Sequence, residues 1–418
     1  MQPSEHFDAL ETRDPEQRER DQLGQLARQI AHAKAKAPAF ARILAAIDPA
    51  SITSRAALAQ VPVTRKSELL EIQKAARPFG GFAASRWGHG AEGPARVFAS
   101  PGPIYEPEGR GADYWRMARA LYAAGFRKGD LVHNAFAYHF SPAGSMFETG
   151  AFALGCTVFP AGTGQTEQQV RAIADLEPAG YVGTPSFLRI IVDKADEMGV
   201  KIPSLTKALV SAEPFPASLR DALLAQGIAG YQVYGSADLG NIAYETEARS
   251  GLVVDEGVLV EIVRPGTGDP VSRGEVGEVV VTALATRDYP LIRFGTGDLS
   301  AVLPGTSPCG RTNLRIKGWM GRADQMTKVK GLFVHPAQVA AVVARHPEVG
   351  RARLVVDTAE GADRMTLHVE VAANRSSNAE AIVASIRDVT KLRGEVAFHA
   401  PGELPNDGKV IEDSRKFD

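Results

Sequence analysis

Between Phe98 and about Tyr234 the chain alternates short apolar runs with helically spaced segments, and this alternation limits its possible folds more than any other feature. Residues 131–136 (Leu-Val-His-Asn-Ala-Phe) read as a strand, and 145–154 read as a helix. Thr157-Val158-Phe159 reads as the next strand, 167–176 as a helix, and 179–183 as a strand closed by Thr184-Pro185 before another helix. Strands and helices in strict alternation predict an α/β sheet with crossover helices. Such sheets take their ligands at the carboxyl ends of the strands.

The flanking regions differ in character. A helix is predicted from Asp14, which can cap, with Pro15 at its first position and Leu23, Leu26, Ile30 and Ala33 at helical spacing. A Pro-punctuated connector follows, ending in Val61-Pro62-Val63-Thr64-Arg65-Lys66. After Tyr244 the residues 258–263 and 276–283 look like strands joined by Gly- and Pro-rich turns, as in a β-rich subdomain. The tail reads as helix (339–345), strand (352–356), strand (367–371), helix (377–392) and strand (395–399), enough for a small α+β domain. Its boundary is expected in the Gly-rich, charged run 317–324. The expected organisation is therefore α/β, with a large multi-subdomain N-terminal body over 1–322 and a small α+β C-terminal domain over 323–418. A chain of 418 residues is consistent with two or three domains, at roughly 150 residues each.

Charge and cysteine usage narrow the function classes. A net charge of -2 gives no electrostatic reason to expect nucleic acid or an anionic membrane as a partner. No apolar stretch reaches the length of a membrane span, and the first residues lack the apolar core of a secretory signal. The two cysteines, Cys156 and Cys309, lie far apart and do not suggest a disulfide framework. A cytoplasmic location is the expectation.

Four segments could carry chemistry. The first is Gln232-Val233-Tyr234-Gly235-Ser236-Ala237-Asp238, an apolar strand end breaking into a Gly turn with a carboxylate. The second, Arg293-Phe294-Gly295-Thr296-Gly297-Asp298, holds a carboxylate that could accept both hydroxyls of a ribose. The third is Gly321-Arg322-Ala323-Asp324, followed by Lys328 and Lys330-Gly331. The fourth is Pro405-Asn406-Asp407-Gly408-Lys409, a lysine on a turn near the end of the chain. Taken singly each has a plain structural explanation, since Gly-Asp turns and solvated lysines are common. Their order carries more weight.

In that order they resemble the adenylate-forming superfamily, and within it the phenylacetate–CoA ligase family. Also similar to that family are Pro62-Val63-Thr64-Arg65-Lys66-Ser67-Glu68-Leu69, Thr166-Glu167-Gln168-Gln169-Val170, Thr184-Pro185-Ser186, Ala212-Glu213-Pro214-Phe215-Pro216 and 329–336 (Val-Lys-Gly-Leu-Phe-Val-His-Pro). The resemblance spans nearly the whole chain and implies an adenylate-forming body with a mobile C-terminal lid. It implies that Glu213 and Pro214 lie against an adenine, that Tyr234 and Gly235 flank it, and that Asp298 holds the ribose, with Arg293 near the nucleotide. Asp324 resembles the lid hinge, Lys330-Gly331 the segment used in the thioester step, and Lys409 the lysine that reaches the α-phosphate. Tyr138, His139 and Phe140 fall where relatives line the acid pocket.

The implied reaction uses ATP, Mg²⁺ and CoA to activate a carboxylic acid, aromatic in this family, and homodimers are common among members. A carboxylate is a poor acyl donor because oxide would have to leave. Attack on the α-phosphate replaces that leaving group with AMP, and the charge that builds up calls for a positioned ammonium and a metal ion.

Two positions depart from the pattern. The phosphate loop corresponds to residues 98–107, where only Ser100 and Gly102 keep the hydroxyl and flexibility that cradle phosphates. Prolines remove donors there, Glu106 adds a negative charge, and no lysine follows closely. Asp238 stands where the family usually has the Glu that helps hold Mg²⁺, one methylene shorter with the same oxygen ligands. These departures leave two alternatives open beside the ligase: an acyl-AMP ligase loading a carrier protein, and a non-catalytic member that binds nucleotide or acyl-CoA.

Overall fold

The computed structural model describes residues 5–88, 93–100, 103–330, 332–359, 362–372, 378–405 and 409–415. The predicted alternation becomes a nine-stranded mixed sheet. Its parallel half runs in the order Ala229–Ser236, Lys207–Val210, Gly180–Gly183, Leu131–Asn134, Thr157–Phe159. Gly240–Glu245, Leu252–Val254, Arg315–Ile316 and Val302–Leu303 continue it as antiparallel strands.

The crossover helices cover the parallel strands, so Tyr181, Val182, Ala208, Leu209 and Val210 are fully buried. This is why those strands read as apolar runs and not as apolar–polar alternation. Helices Met117–Ala123 and Ala143–Leu154 meet at Gly150, where a Cβ would fall 2.5 Å from Met117 Cβ.

The N-terminal helix is Pro15–Lys36, with the Asp14 side chain accepting from the Gln17 N–H at 2.9 Å. Leu26, Ile30 and Ala33 are its buried stripe. A second sheet orders Thr64–Arg65, Phe294–Ser300, Gly277–Ala283 and Val258–Val263. Val258–Val263 and Gly277–Ala283 are the β-rich hairpin expected after Tyr244.

The C-terminal region is built on a four-stranded sheet in the order Glu395–His399, Ala362–Val371, Val349–Ala359, Ile411–Asp413. Helices Pro336–Val343 and Ala379–Thr390 cover one face, burying Val339, Val342, Ile382 and Ile386 with Leu354, Val356, Met365, Leu367 and Val369. The period-two burial along these strands places Arg364 and His368 on the opposite, polar face.

The chain divides into two compact units, Met1–Thr296 with Ala301–Gly318, and Gly297–Ser300 with Trp319–Asp418. The division falls before Trp319 and not at 322/323, and the short segment around Asp298 groups with the C-terminal unit. Backbone bonds explain this: Leu299 N–H donates to Gly321 O at 2.8 Å, and Met320 N–H to Leu299 O at 2.9 Å. No described helix is long and apolar enough to cross a membrane.

Candidate active site

The carboxyl ends of neighbouring parallel strands bring several expected residues into one region. Leu131–Asn134 leads into Tyr138-His139-Phe140, Lys207–Val210 into Glu213-Pro214, and Ala229–Ser236 carries Tyr234 and Gly235 at its end. Val210 and Gln232 are register partners, so the last two segments are adjacent. Glu213 and Pro214 are exposed, and the Glu213 carboxylate accepts from the Ser186 N–H at 3.4 Å. Tyr234 is buried, with its hydroxyl 3.3 Å from Thr296 Oγ1. At Gly235 a Cβ would lie 2.4 Å from Gly240 O, so the tight turn excludes any side chain there.

That turn presents Asp238, whose side chain is fully buried. Gly240 closes it at φ +71, where a Cβ would fall 2.6 Å from Trp115 O, a position that favours glycine. Asp238 Oδ2 accepts from Lys66 Nζ at 2.5 Å, while Oδ1 is buried without a hydrogen-bond partner. An orphaned carboxylate oxygen fits a Mg²⁺ site, because that ion is usually held by one or two carboxylates plus substrate phosphates. Among the described residues no three acidic, His or Cys side chains cluster to form a protein-only metal cage.

The described part of residues 98–107 is mostly strand. Arg96–Ser100 and Ile104–Glu108 pair as an antiparallel ribbon. Gly102 lies outside the described residues. Glu106 faces inward, fully buried, and its carboxyl accepts from the Ser100 N–H at 3.2 Å and from the Ser100 hydroxyl. Burial, then the nearby negative charge of Asp238, push its pKa up to about 8. Held largely protonated near neutrality, Glu106 does not present the full negative charge that its sequence position suggests. Ser100 is buried and committed to it.

Lys66 supplies the cation beside Asp238. It begins helix Lys66–Ala75, directly after the Thr64–Arg65 strand that pairs with Phe294 and Gly295. One face of the same helix also carries Gln73, which clamps the Tyr105 backbone through both its N–H (2.8 Å) and its C=O (2.9 Å). Sequence reasoning missed both residues. Lys66 stood inside a family-like segment, but no local spacing rule connects it to Asp238.

Two expected segments meet different surroundings in the fold. Arg293 does not face a nucleotide: it is 1% exposed, with Nε and NH2 on the two oxygens of Glu261. Its remaining donors reach Ala59 O, Val61 O and Gly268 O, so its five N–H groups are used inside the fold. It cross-links the connector to the second sheet. In the expected acid pocket only Tyr138 is part-buried, its hydroxyl accepting from Asn134 Nδ2 at 2.7 Å. Burial and Glu148 raise that phenol's pKa. His139 is exposed and Phe140 is 77% exposed, so they do not form an aromatic wall. The Phe140 carbonyl instead accepts from the Ala99 N–H, fastening this segment to the ribbon.

In the C-terminal unit, Asp298 accepts from Arg322 NH1 at 3.0 Å and from Trp319 Nε1 at 3.1 Å. Asp324 sits in the short 3-10 turn Ala323–Gln325 with its side chain 74% exposed. Gln325 Oε1 accepts from the Val410 N–H at 2.8 Å, which places the exposed Lys409 next to the expected hinge. Beyond Lys409, the strand Ile411–Asp413 anchors the tail in the sheet. Lys330 is exposed, and Gly331 lies outside the described residues.

Comparison with known proteins finds relatives along most of the chain. Residues 113–285 match the family model described as AMP-binding enzyme. The phenylacetate–coenzyme A ligase of Thermus thermophilus is 34% identical over 381 residues, covering 87% of this chain and 83% of the relative. The enzyme of the same name from Aromatoleum evansii is 34% identical over 367 residues, covering 84% and 81%. Among solved structures, an open conformation of 2-hydroxyisobutyryl-CoA ligase, in complex with 2-HIB-AMP and CoA, superposes with a TM-score of 0.85. Its identity is 24%, over 99% of this chain and 95% of that one, a likeness of fold.

Proposed function

Because this chain belongs to the phenylacetate–coenzyme A ligase family of AMP-binding enzymes, we propose that it is an ATP-dependent acid–CoA ligase. It activates a compact aromatic carboxylic acid as the acyl-adenylate and then transfers the acyl group to CoA. The observation that carries this reading is the ion pair of part-buried Lys66 with buried Asp238 at the carboxyl end of the parallel sheet, with an Asp238 oxygen still unsatisfied.

In this reading Glu213-Pro214 and Tyr234-Gly235 hold the adenine, and Asp298 binds the ribose hydroxyls once Arg322 and Trp319 yield them. Lys66 and Asp238 lie on the phosphate side. Mg²⁺ held by Asp238 would neutralise phosphate charge there. Lys66 orients the Asp238 carboxylate, while protonated Glu106 holds the ribbon without adding negative charge. Tyr138 contributes to the acid site. Lys409 supplies the ammonium at the α-phosphate, and Asp324 is the pivot that exchanges it for the Lys330-Gly331 segment in the thioester step. The protein is proposed to be cytoplasmic and homodimeric, as members of the family commonly are.

The test is an assay with ATP, Mg²⁺, CoA and a panel of aryl acids. Acid-dependent AMP and thioester formation is expected. Absence of acid-dependent pyrophosphate exchange across the panel would overturn the reading in favour of a binding protein. Exchange without CoA thioester, but with acyl transfer to a carrier protein, would reassign the acceptor.

A further inference from the structure

The edge strand Glu395–His399 ends where the chain turns toward Lys409, and that end is fastened by side chains the proposed reaction leaves unassigned. His399 Nε2 lies 2.8 Å from Nδ1 of His368 on the neighbouring strand Ala362–Val371. On its other side, His399 Nδ1 faces the Glu403 carboxylate at 3.6 Å, and Glu403 also accepts the Ala400 N–H at 2.9 Å. Leu404 is buried, its N–H donating to Glu370 at 2.9 Å and its carbonyl accepting from Arg351 at 2.8 Å. Glu370 is the register partner of His399, so the histidine pair and the Leu404 clamp form one root. Lys409 follows shortly in the chain, and beyond it Val410 is held by Gln325 and the Leu354 N–H.

The histidine contact tolerates only some protonation states. A hydrogen bond between two imidazoles needs one N–H and one bare nitrogen, whereas a fully protonated pair presents donors alone. The charged groups around the pair are mostly committed to one another. On Val349–Ala359, Arg353 is the register partner of His368 and pairs with Glu412 of Ile411–Asp413 at 2.8 Å, while Asp357 pairs with Arg364. Glu370 serves Leu404 and lies 4.0 Å from Arg351, and Glu395 stands at the far end of the edge strand opposite Thr366. Glu403 is the acid set directly against the pair. Burial, then the charge of His399, lower the pKa of His368, with Arg353 adding to the effect and Glu412 and Asp357 opposing it. A depressed value means that the contact is complete above the ordinary 6.5 and is lost as pH falls through the lowered value.

We propose that His368 and His399 are positioning residues for adenylation: their bond fixes the root of the segment that carries Lys409, and a second proton on the pair releases it. The consequence for catalysis rests on the ligase reading, which assigns Lys409 to the α-phosphate. The latch itself does not depend on that reading. Both histidines act through the backbone between His399 and Leu404 and touch no substrate.

The experiment measures both half-reactions of the full-length protein from pH 5.5 to 8.5, with hydrogen exchange of the 399–404 amides alongside. His368→Ala should lower kcat for adenylation about tenfold at pH 8 and spare acyl transfer from preformed adenylate. Its amides at 399–404 should exchange faster, and thermal melting checks the fold. His368→Asn places an amide N–H near the position of Nδ1 but cannot titrate. It should recover most of the adenylation rate and remove a decline that the wild type shows below pH 6.5. Unchanged adenylation in His368→Ala, or equal losses in both half-reactions, would overturn the positioning role. Should no acid be adenylated, the ligase reading fails and exchange alone decides the latch. Exchange over 399–404 that rises in His368→Ala, and rises in acid for the wild type but not for His368→Asn after correction for intrinsic rates, keeps it. Exchange indifferent to these variants overturns it.

Discussion

Single residues carry the chemistry, and their surroundings decide what each can do. Glu106 shows this most clearly, since its ordinary value of 4.5 rises to about 8 in the fold. Folding therefore favours its protonated form. Its contribution to stability is complete below the unfolded value, shrinks as pH rises, and is gone above about 8. Glu106→Gln, which cannot ionise, should remove that loss: its melting temperature should gain on wild type between about pH 5 and 8. Parallel melting curves across that window would contradict the buried, protonated assignment. Lys409→Ala should depress adenylation by about 10²–10³-fold while sparing acyl transfer from preformed adenylate. Equal losses in both half-reactions, measured separately, would remove Lys409 from its assigned role. Motif order in the sequence singled out Lys409 and Asp238 as candidates. It misplaced Arg293 because position along the chain does not report where a guanidinium's five donors go.

Elements position these residues, and most of them follow from local patterning. The Asp14 cap, the buried stripe of Pro15–Lys36 and the crossover helices appear where periodicity put them, because one buried face per helix leaves a readable repeat. Residues 98–107 were read as a loop for the opposite reason. Pro101, Pro103 and Pro107 look like turn residues, yet Pro107 pairs with Val97 on a two-stranded ribbon, where a missing N–H costs little. Close packing between helices is equally silent in the sequence. Gly150→Ala would bring a Cβ within 2.5 Å of Met117 Cβ and 2.9 Å of Ala118 N, forcing Met117–Ala123 away from Ala143–Leu154. A loss of about 1–3 kcal/mol is expected in urea denaturation. Gly24→Ala is the contrasting case. Its nearest neighbour would be Arg28 NH1 at 3.8 Å, so helix propensity should stabilise the protein by about 1 kcal/mol. Similar effects for both variants would argue against the helix contact.

For the whole molecule the question is how two compact units serve two half-reactions. Asp324 lies six residues past the division, in a short turn with an exposed side chain, which suits a pivot. Asp324→Pro restricts φ at that point and should depress one half-reaction far more than the other, as read by pyrophosphate exchange and by transfer from isolated adenylate. Equal effects would place the pivot elsewhere. By itself the sequence determined the α/β class, the small C-terminal domain, the family and most of the residues at the carboxyl ends of the strands. Periodicity and ordered motifs are local properties of the chain, and parallel strands align their ends by construction. Only the tertiary structure decided that Lys66 reaches Asp238, that Glu106 turns inward onto Ser100, and that Arg293 is a cross-link. Lys66 and Arg293 meet partners distant in sequence, Glu106 meets Ser100 across the paired ribbon, and these contacts exist only once the strands have paired.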